Sequence, residues 1–279
     1  MRMTVTRTAD TNTPRTYMFE YDFMQNAFAA SGIVAVMAGL VGYFLVLRGQ
    51  SFAGHALSHL GFTGATGAVL IGAPPLWGLI AVTVAGGVGM GLLGERFAQR
   101  DVAIGIVLTV SLGFGLLFLH FFTSYVATAT ALLFGNVLAV DAATVWVLLV
   151  LGLVSVVALA VLSRPLLFAS IQPELAEAKG VPLQGIGVAF LAIVALATAG
   201  SVQIVGVLLV FALMVGPAAA AQRLTAGVLP GLALAAGLAL AEAWLALALA
   251  FETDWPTSFW ITVLSAGVYL TAMALGRIT

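Results

Sequence analysis

AATVWVLLVLGLVSVVALAVLS, residues 142–163, runs for 22 positions without a charge or a proline. A helix of about 20 such residues, rising 1.5 Å per residue, crosses a hydrocarbon core of about 30 Å. Inside a bilayer the backbone must satisfy its own hydrogen bonds, which leaves helices or a closed barrel. The run lacks the apolar-polar alternation of a barrel strand, so it is read as a membrane-spanning helix. Working outward, similar runs occur at about 22–47, 55–73, 75–95, 102–122, 183–201, 203–222, 226–250 and 257–276, nine candidates with the first. Between the fourth and fifth lies TSYVATATALLFGNVLAVD, residues 123–141, too short and too interrupted by Thr, Gly and Asn to cross. It is read as an interfacial or re-entrant helix. The expected fold is all-α: a polytopic membrane protein of one bundle with eight to nine transmembrane helices.

Composition agrees. The chain has 279 residues, 62% hydrophobic and 8% charged, with a mean hydropathy of +1.15, whereas a soluble domain shows water about a quarter of its residues as charges. Its 31 glycines, with many alanines, let helix backbones approach closely, which replaces the hydrophobic driving force that lipid removes. One compact bundle over 18–279 is therefore expected, not two linked domains. The polar stretch 1–17 lacks the apolar centre of a secretory signal. It is read as a disordered N-terminal extension, with Met18 as a possible start.

There is no cysteine, which removes disulfides and thiolate metal ligands. Scattered basic residues make no nucleic-acid surface, and no GxxxxGK[ST] phosphate loop occurs, so any ATP used is hydrolysed by another chain.

Arg48, Arg96, Arg100, Arg164, Lys179, Arg223 and Arg277 fall on alternate loops if nine spans are drawn, and that side is read as cytoplasmic. The N-terminus is then outside, which Arg2, Arg7 and Arg15 oppose. Asp141, Glu252 and Asp254 lie on the opposite loops, with Glu20 and Asp22 at the start of the first span, as an acidic outer rim suited to cations. The longest cytoplasmic connection holds Pro173, Glu174, Leu175, Ala176, Glu177, Ala178, Lys179 and Gly180. Proline at the first turn, acids near the start, lysine near the end and a glycine stop mark a short helix. It is either a surface connector or a docking piece for a cytoplasmic partner.

His55 and His59 stand four residues apart on one helical face, a spacing by which two imidazoles can hold one metal ion. Inside a membrane such rings need a partner or a wet cavity. Glu242 is the only acid well inside an expected span; it must be neutral, paired or on a hydrated path. It is the third candidate metal ligand. His120 lies among aromatics near an outer helix end and reads as an anchor.

Several stretches together resemble the integral-membrane permease subunits of bacterial ABC importers for zinc, manganese and iron. Gly42-Tyr43-Phe44-Leu45-Val46-Leu47-Arg48 followed by Ser51 to His59 resembles the family's Arg-bearing turn and GDxxxH element. Leu133 to Leu138 resembles its LFGxxL segment, Pro173 to Val181 its DPELAxxxGV coupling helix, and Val205 to Ala220 its GxLLxxxxLxxPAAxA span. The likeness runs in order from Met18 onward.

The resemblance implies a homodimer with a path along its axis, cytoplasmic ABC ATPase subunits below, and an extracytoplasmic metal-binding protein. It places the chain in the inner membrane, with no permanently bound cofactor and a transported divalent metal ion. The metal positions fall on His55 and His59, where the family usually has Asp at the first. Gln172 and Ser258 depart from the family's Asp and Gly. Two neutral imidazoles favour zinc over manganese, which prefers oxygen donors. Two rival readings are an ABC permease for a metal chelate and an ion-coupled secondary transporter using His55, His59 and Glu242 as a proton relay, although no inverted repeat is seen. An intramembrane metalloprotease would need Glu after His55, where Ala56 stands.

Overall fold

A computed structural model of the chain describes residues 21–93, 97–122, 132–207 and 209–276. The extension expected at 1–17, Met18, Glu20, Arg96, Arg277 and the first half of the re-entrant stretch, 123–131, lie outside the described residues.

Helices dominate: α1 (Asp22–Leu47), α2 (Ser51–Leu70), α3 (Pro75–Leu93), α4 (Phe97–His120), α5 (Ala142–Ile171), α6 (Pro173–Ala178), α7 (Leu183–Val205), α8 (Val210–Leu224), α9 (Val228–Thr253) and α10 (Thr257–Leu275). A 3-10 turn, Val137–Ala139, precedes α5. The protein is a polytopic helical membrane protein. The most apolar stretches of α1 and α7 are 67% and 72% buried inside the bundle, against 17% for α10, so α1 and α7 are its centre. α1 packs on α5, α7, α8 and α9, and α7 on α2, α3 and α5.

Eight to nine spans were expected, but six helices are long and apolar enough to cross among the described residues: α1, α3, α5, α7, α9 and α10. Of the other three, α8 has 15 residues, and α4 is apolar from Val102 to its end behind Gln99, Arg100 and Asp101. α2 is 20 residues long but carries histidine, serine, threonine and glycine. It is wrapped by α3, α4 and α7, and a helix shielded from lipid needs no apolar exterior.

Small residues set the closest approaches. A Cβ at Gly64 on α2 would strike the carbonyl of Gly78 on α3, and a Cβ at Gly78 the carbonyl of Gly64. Several buried hydroxyls return their protons to their own helices, as Thr66 does to Phe62 at 2.9 Å. Thr63 instead reaches across to Ser111 on α4, Oγ to Oγ 2.8 Å.

Three helix ends close with the same device. At the end of α1, Gly49 takes φ +63°, its N–H donates to Val46 and that of Gln50 to Leu45, both at 2.9 Å. Gly72 after α2 and Gly180 after α6 repeat the pattern, with Ala73 donating to Ala68 and Val181 to Ala176. This is the doubly hydrogen-bonded stop that a left-handed glycine permits.

α8 is a short helix. Fifteen residues make a helix of about 22 Å, shorter than the hydrocarbon core, and the turn before it packs against the segment entering at residue 132. Val207 N donates to Leu132 O at 3.2 Å. Gly135 and Gly206 sit back to back with φ +75° and +85°, and a Cβ on either would strike the other's backbone. The LFGN stretch is thus docked into the break between α7 and α8.

Candidate metal centre

The turn Arg48-Gly49-Gln50 fixes where α2 begins, with Gln50 O accepting from Ala53 N at 2.9 Å. His55 and His59 follow on the first turns of α2. Phe52, His55 and His59 form the partly open stripe of a helix that is otherwise mostly buried at this end. The two rings meet edge to face with centroids 4.7 Å apart at 83°. His55 also lies edge-on to Phe211 of α8 at 5.6 Å. Both imidazoles are half-buried. The pair therefore occupies a flank between α2 and α8 that this single chain leaves partly open.

The third candidate does not join them. No group of three His, Cys, Asp or Glu able to hold a metal occurs among the described residues. Glu242, 2% exposed on α9, has neither carboxylate oxygen hydrogen-bonded. Its polar neighbour Ser265 on α10 gives its proton to Ala212 O at 2.9 Å. Glu242 thus sits beside Ser265 at the contact of α9 with α10, apart from the two imidazoles. A chain offering two imidazoles alone leaves the rest of a four- or six-coordinate shell to atoms from elsewhere.

Of the rim acids, Asp22, Asp141, Glu252 and Asp254 are exposed. Asp141 caps α5, its carboxylate accepting from Thr144 N at 2.8 Å. Hydrogen bonds from Thr144, side chain and then backbone, hold its pKa below the usual aspartate value. Asp254 follows α9 in the left-handed region at φ 57°. His120 ends α4, exposed, against Phe121. A cavity of about 210 Å³ opens between the LFGN segment and the α9–α10 turn, lined by Asn136, Thr257, Ser258 and Ser31 among apolar groups. Sequence reading missed this convergence, because no spacing rule links residues 134–138 to 256–258.

On the opposite side α6 forms as expected. Ala176 is fully buried while Leu175 is 45% exposed beside exposed Glu174, Glu177 and Lys179.

Residues 20–276 match the model of the ABC 3 transport family. The chain belongs to that family. It is 31% identical over 182 residues to the manganese transport system membrane protein MntC of Halalkalibacterium halodurans, covering 65% of this chain and 62% of that protein. The manganese import system permease protein ScaB of Streptococcus gordonii is 30% identical over 167 residues, 58% of this chain and 59% of that one. The matched region thus spans a little under two thirds of these curated relatives' lengths. Among solved structures, PsaBC from Streptococcus pneumoniae in complex with Fab superimposes with a TM-score of 0.81 at 25% identity, over 91% of this chain and 92% of that one. An inward-facing putative metal-chelate type ABC transporter shares the fold, with a TM-score of 0.69 at 17% identity over 90% and 85%. Family and fold together identify a multi-pass cell-membrane protein of the ABC 3 transport family.

Proposed function

We propose that this chain is the permease of an ATP-driven importer of a divalent transition metal ion, with ATP hydrolysed by separate cytoplasmic subunits. One observation carries the site: two imidazoles held edge to face on a partly open flank of an otherwise shielded membrane helix. Placing polar rings on lipid is costly, and they earn the position by serving a hydrated path. A second copy of the chain laid over that flank would supply further ligands and create the passage. The complete homodimer would then use one permease domain per chain, residues 18–279, with α2, α4 and α8 crossing beside the six more apolar helices. α6 docks the ATPase through Pro173, Glu174, Leu175, Ala176, Glu177, Lys179 and Gly180. The rim of Asp141, Glu252 and Asp254 receives the extracytoplasmic metal-binding protein.

Manganese is the cargo this reading favours, because the relatives above are named for manganese; the zinc expected from two nitrogen donors has no such support. His55 and His59 then furnish two nitrogens, and oxygen atoms from water or the partner copy fill a manganese shell. A transport site must release its ion, so an incomplete, changeable shell suits it.

The test is manganese uptake into vesicles holding the permease, its ATPase and its binding protein. His55→Ala and His59→Ala should each lower uptake at least about tenfold, on the scale of metal-site defects, while leaving the assembled complex intact. Wild-type uptake in both would remove the site. Uptake by the chain alone, driven by a proton gradient, would favour the secondary transporter. Faster zinc than manganese uptake would restore zinc.

A further inference from the structure

The proposed docking helix and the histidine-bearing helix are far apart in sequence, but the elements that lead into them, α5 and the α1–α2 turn, are joined by one side chain. Arg48 Nη1 donates to Ser170 Oγ at 3.0 Å, across 122 residues. Ser170 passes its own proton back to Leu166 O within α5, so its oxygen is oriented to accept. The Arg48 guanidinium also lies 5.6 Å from the ring centroid of Phe190 on α7, a ring with no exposed surface. The three elements that meet at Arg48 are the α1–α2 turn, the end of α5 and the body of α7.

Both ends of this contact are stiff. On one side, Ser170 is three residues before Pro173, where α6 begins, with Gln172 serving both helices as cap. On the other, Arg48 caps α1, the paired hydrogen bonds around Gly49 fix the turn, and α2 starts at Ser51 with His55 one turn further on. Arginine suits the post. Its planar fork holds a hydrogen bond and a ring face together, which the lysine ammonium does not.

We infer that Arg48 is a positioning residue through which movement of the α6 docking helix is passed to α2 and its two histidines. This rests on the proposed function above. The Arg48–Ser170 contact is the lateral strut, and the rigid α1–α2 turn is the arm that re-aims His55 and His59.

The experiment uses the full complex in vesicles and measures manganese ions delivered per ATP hydrolysed, alongside thermal stability and co-purification of the ATPase. Ser170→Ala removes the acceptor with little change in volume, and Arg48→Lys keeps the charge while losing the fork. Each is expected to lower ions per ATP roughly three- to tenfold, the scale of one net intramolecular hydrogen bond, with stability and ATPase attachment as in the wild type. The double variant should be no worse than Arg48→Lys alone, as required of two groups acting through one contact. Unchanged stoichiometry in both single variants, or losses that multiply in the double, would overturn the strut. If the wild-type complex moves no manganese with ATP, the importer reading fails and the strut with it. Wild-type transport with insensitive variants rejects the strut alone.

Discussion

At Asp141 one carboxylate holds the start of α5 by accepting from Thr144 N, and its lowered pKa fixes how pH acts on that cap. A folded-state value below the unfolded one means the cap stabilises fully above the unfolded aspartate value, about pH 4. The contribution is lost as pH falls through the lower folded value. Asp141→Ala should therefore unfold earlier than wild type in detergent at neutral pH, and the two melting temperatures should converge under acid. A constant gap between pH 7 and pH 3 would show that the charge is irrelevant to the cap. The same scale shows what sequence can tell. The His55–His59 face follows from a four-residue spacing, and the rings do meet. Glu242 was legible as an intramembrane acid but not as one apart from the imidazoles, because its distance from them depends on how α9 and α2 are arranged.

Among the elements, α6 is the clearest case of local chemistry writing structure: Pro173 at its first turn, Glu174 beside it and Gly180 at φ +76° beyond its end. Burying Ala176 turns Leu175 outward, an apolar side chain in a polar surround that gains by entering a partner's groove. Glu174→Ala with Leu175→Ala should weaken ATPase attachment by about 1–3 kcal/mol, as for an anchor side chain at an interface, with no change in the permease's own melting temperature. Full retention of the ATPase in co-purification would make α6 a plain connector. The helix before it was harder to read. The apolar run ends near residue 163, yet α5 continues to Ile171 through Arg164 and Pro165. Proline removes one N–H, the donor to Val161 near the end of the apolar run, and the helix continues past it for about another turn and a half. α2 shows the reverse failure. Hydropathy undervalues it because its neighbours, not lipid, surround it.

For the whole molecule, the proposed dimer turns on which flank a second copy would cover. Phe52 and Phe211 are 42% and 38% exposed on either side of the histidine pair, and a lone chain gives that pair no third ligand among the described residues. If a partner copy completes the shell there, Phe52 in one copy approaches the partner, while Val161, 77% exposed on α5, faces lipid. The chain has no cysteine of its own, so a single introduced thiol reports on this without background. Phe52→Cys in membranes should give a covalent dimer with a short thiol crosslinker, and Val161→Cys should stay monomeric on the same gel. Manganese should raise the Phe52→Cys yield, since an ion shared between copies favours the closed pair. Equal crosslinking at both positions would mean random collision. Dimer at Val161→Cys alone would move the interface to α5 and leave the imidazoles facing lipid, where a cation path cannot run.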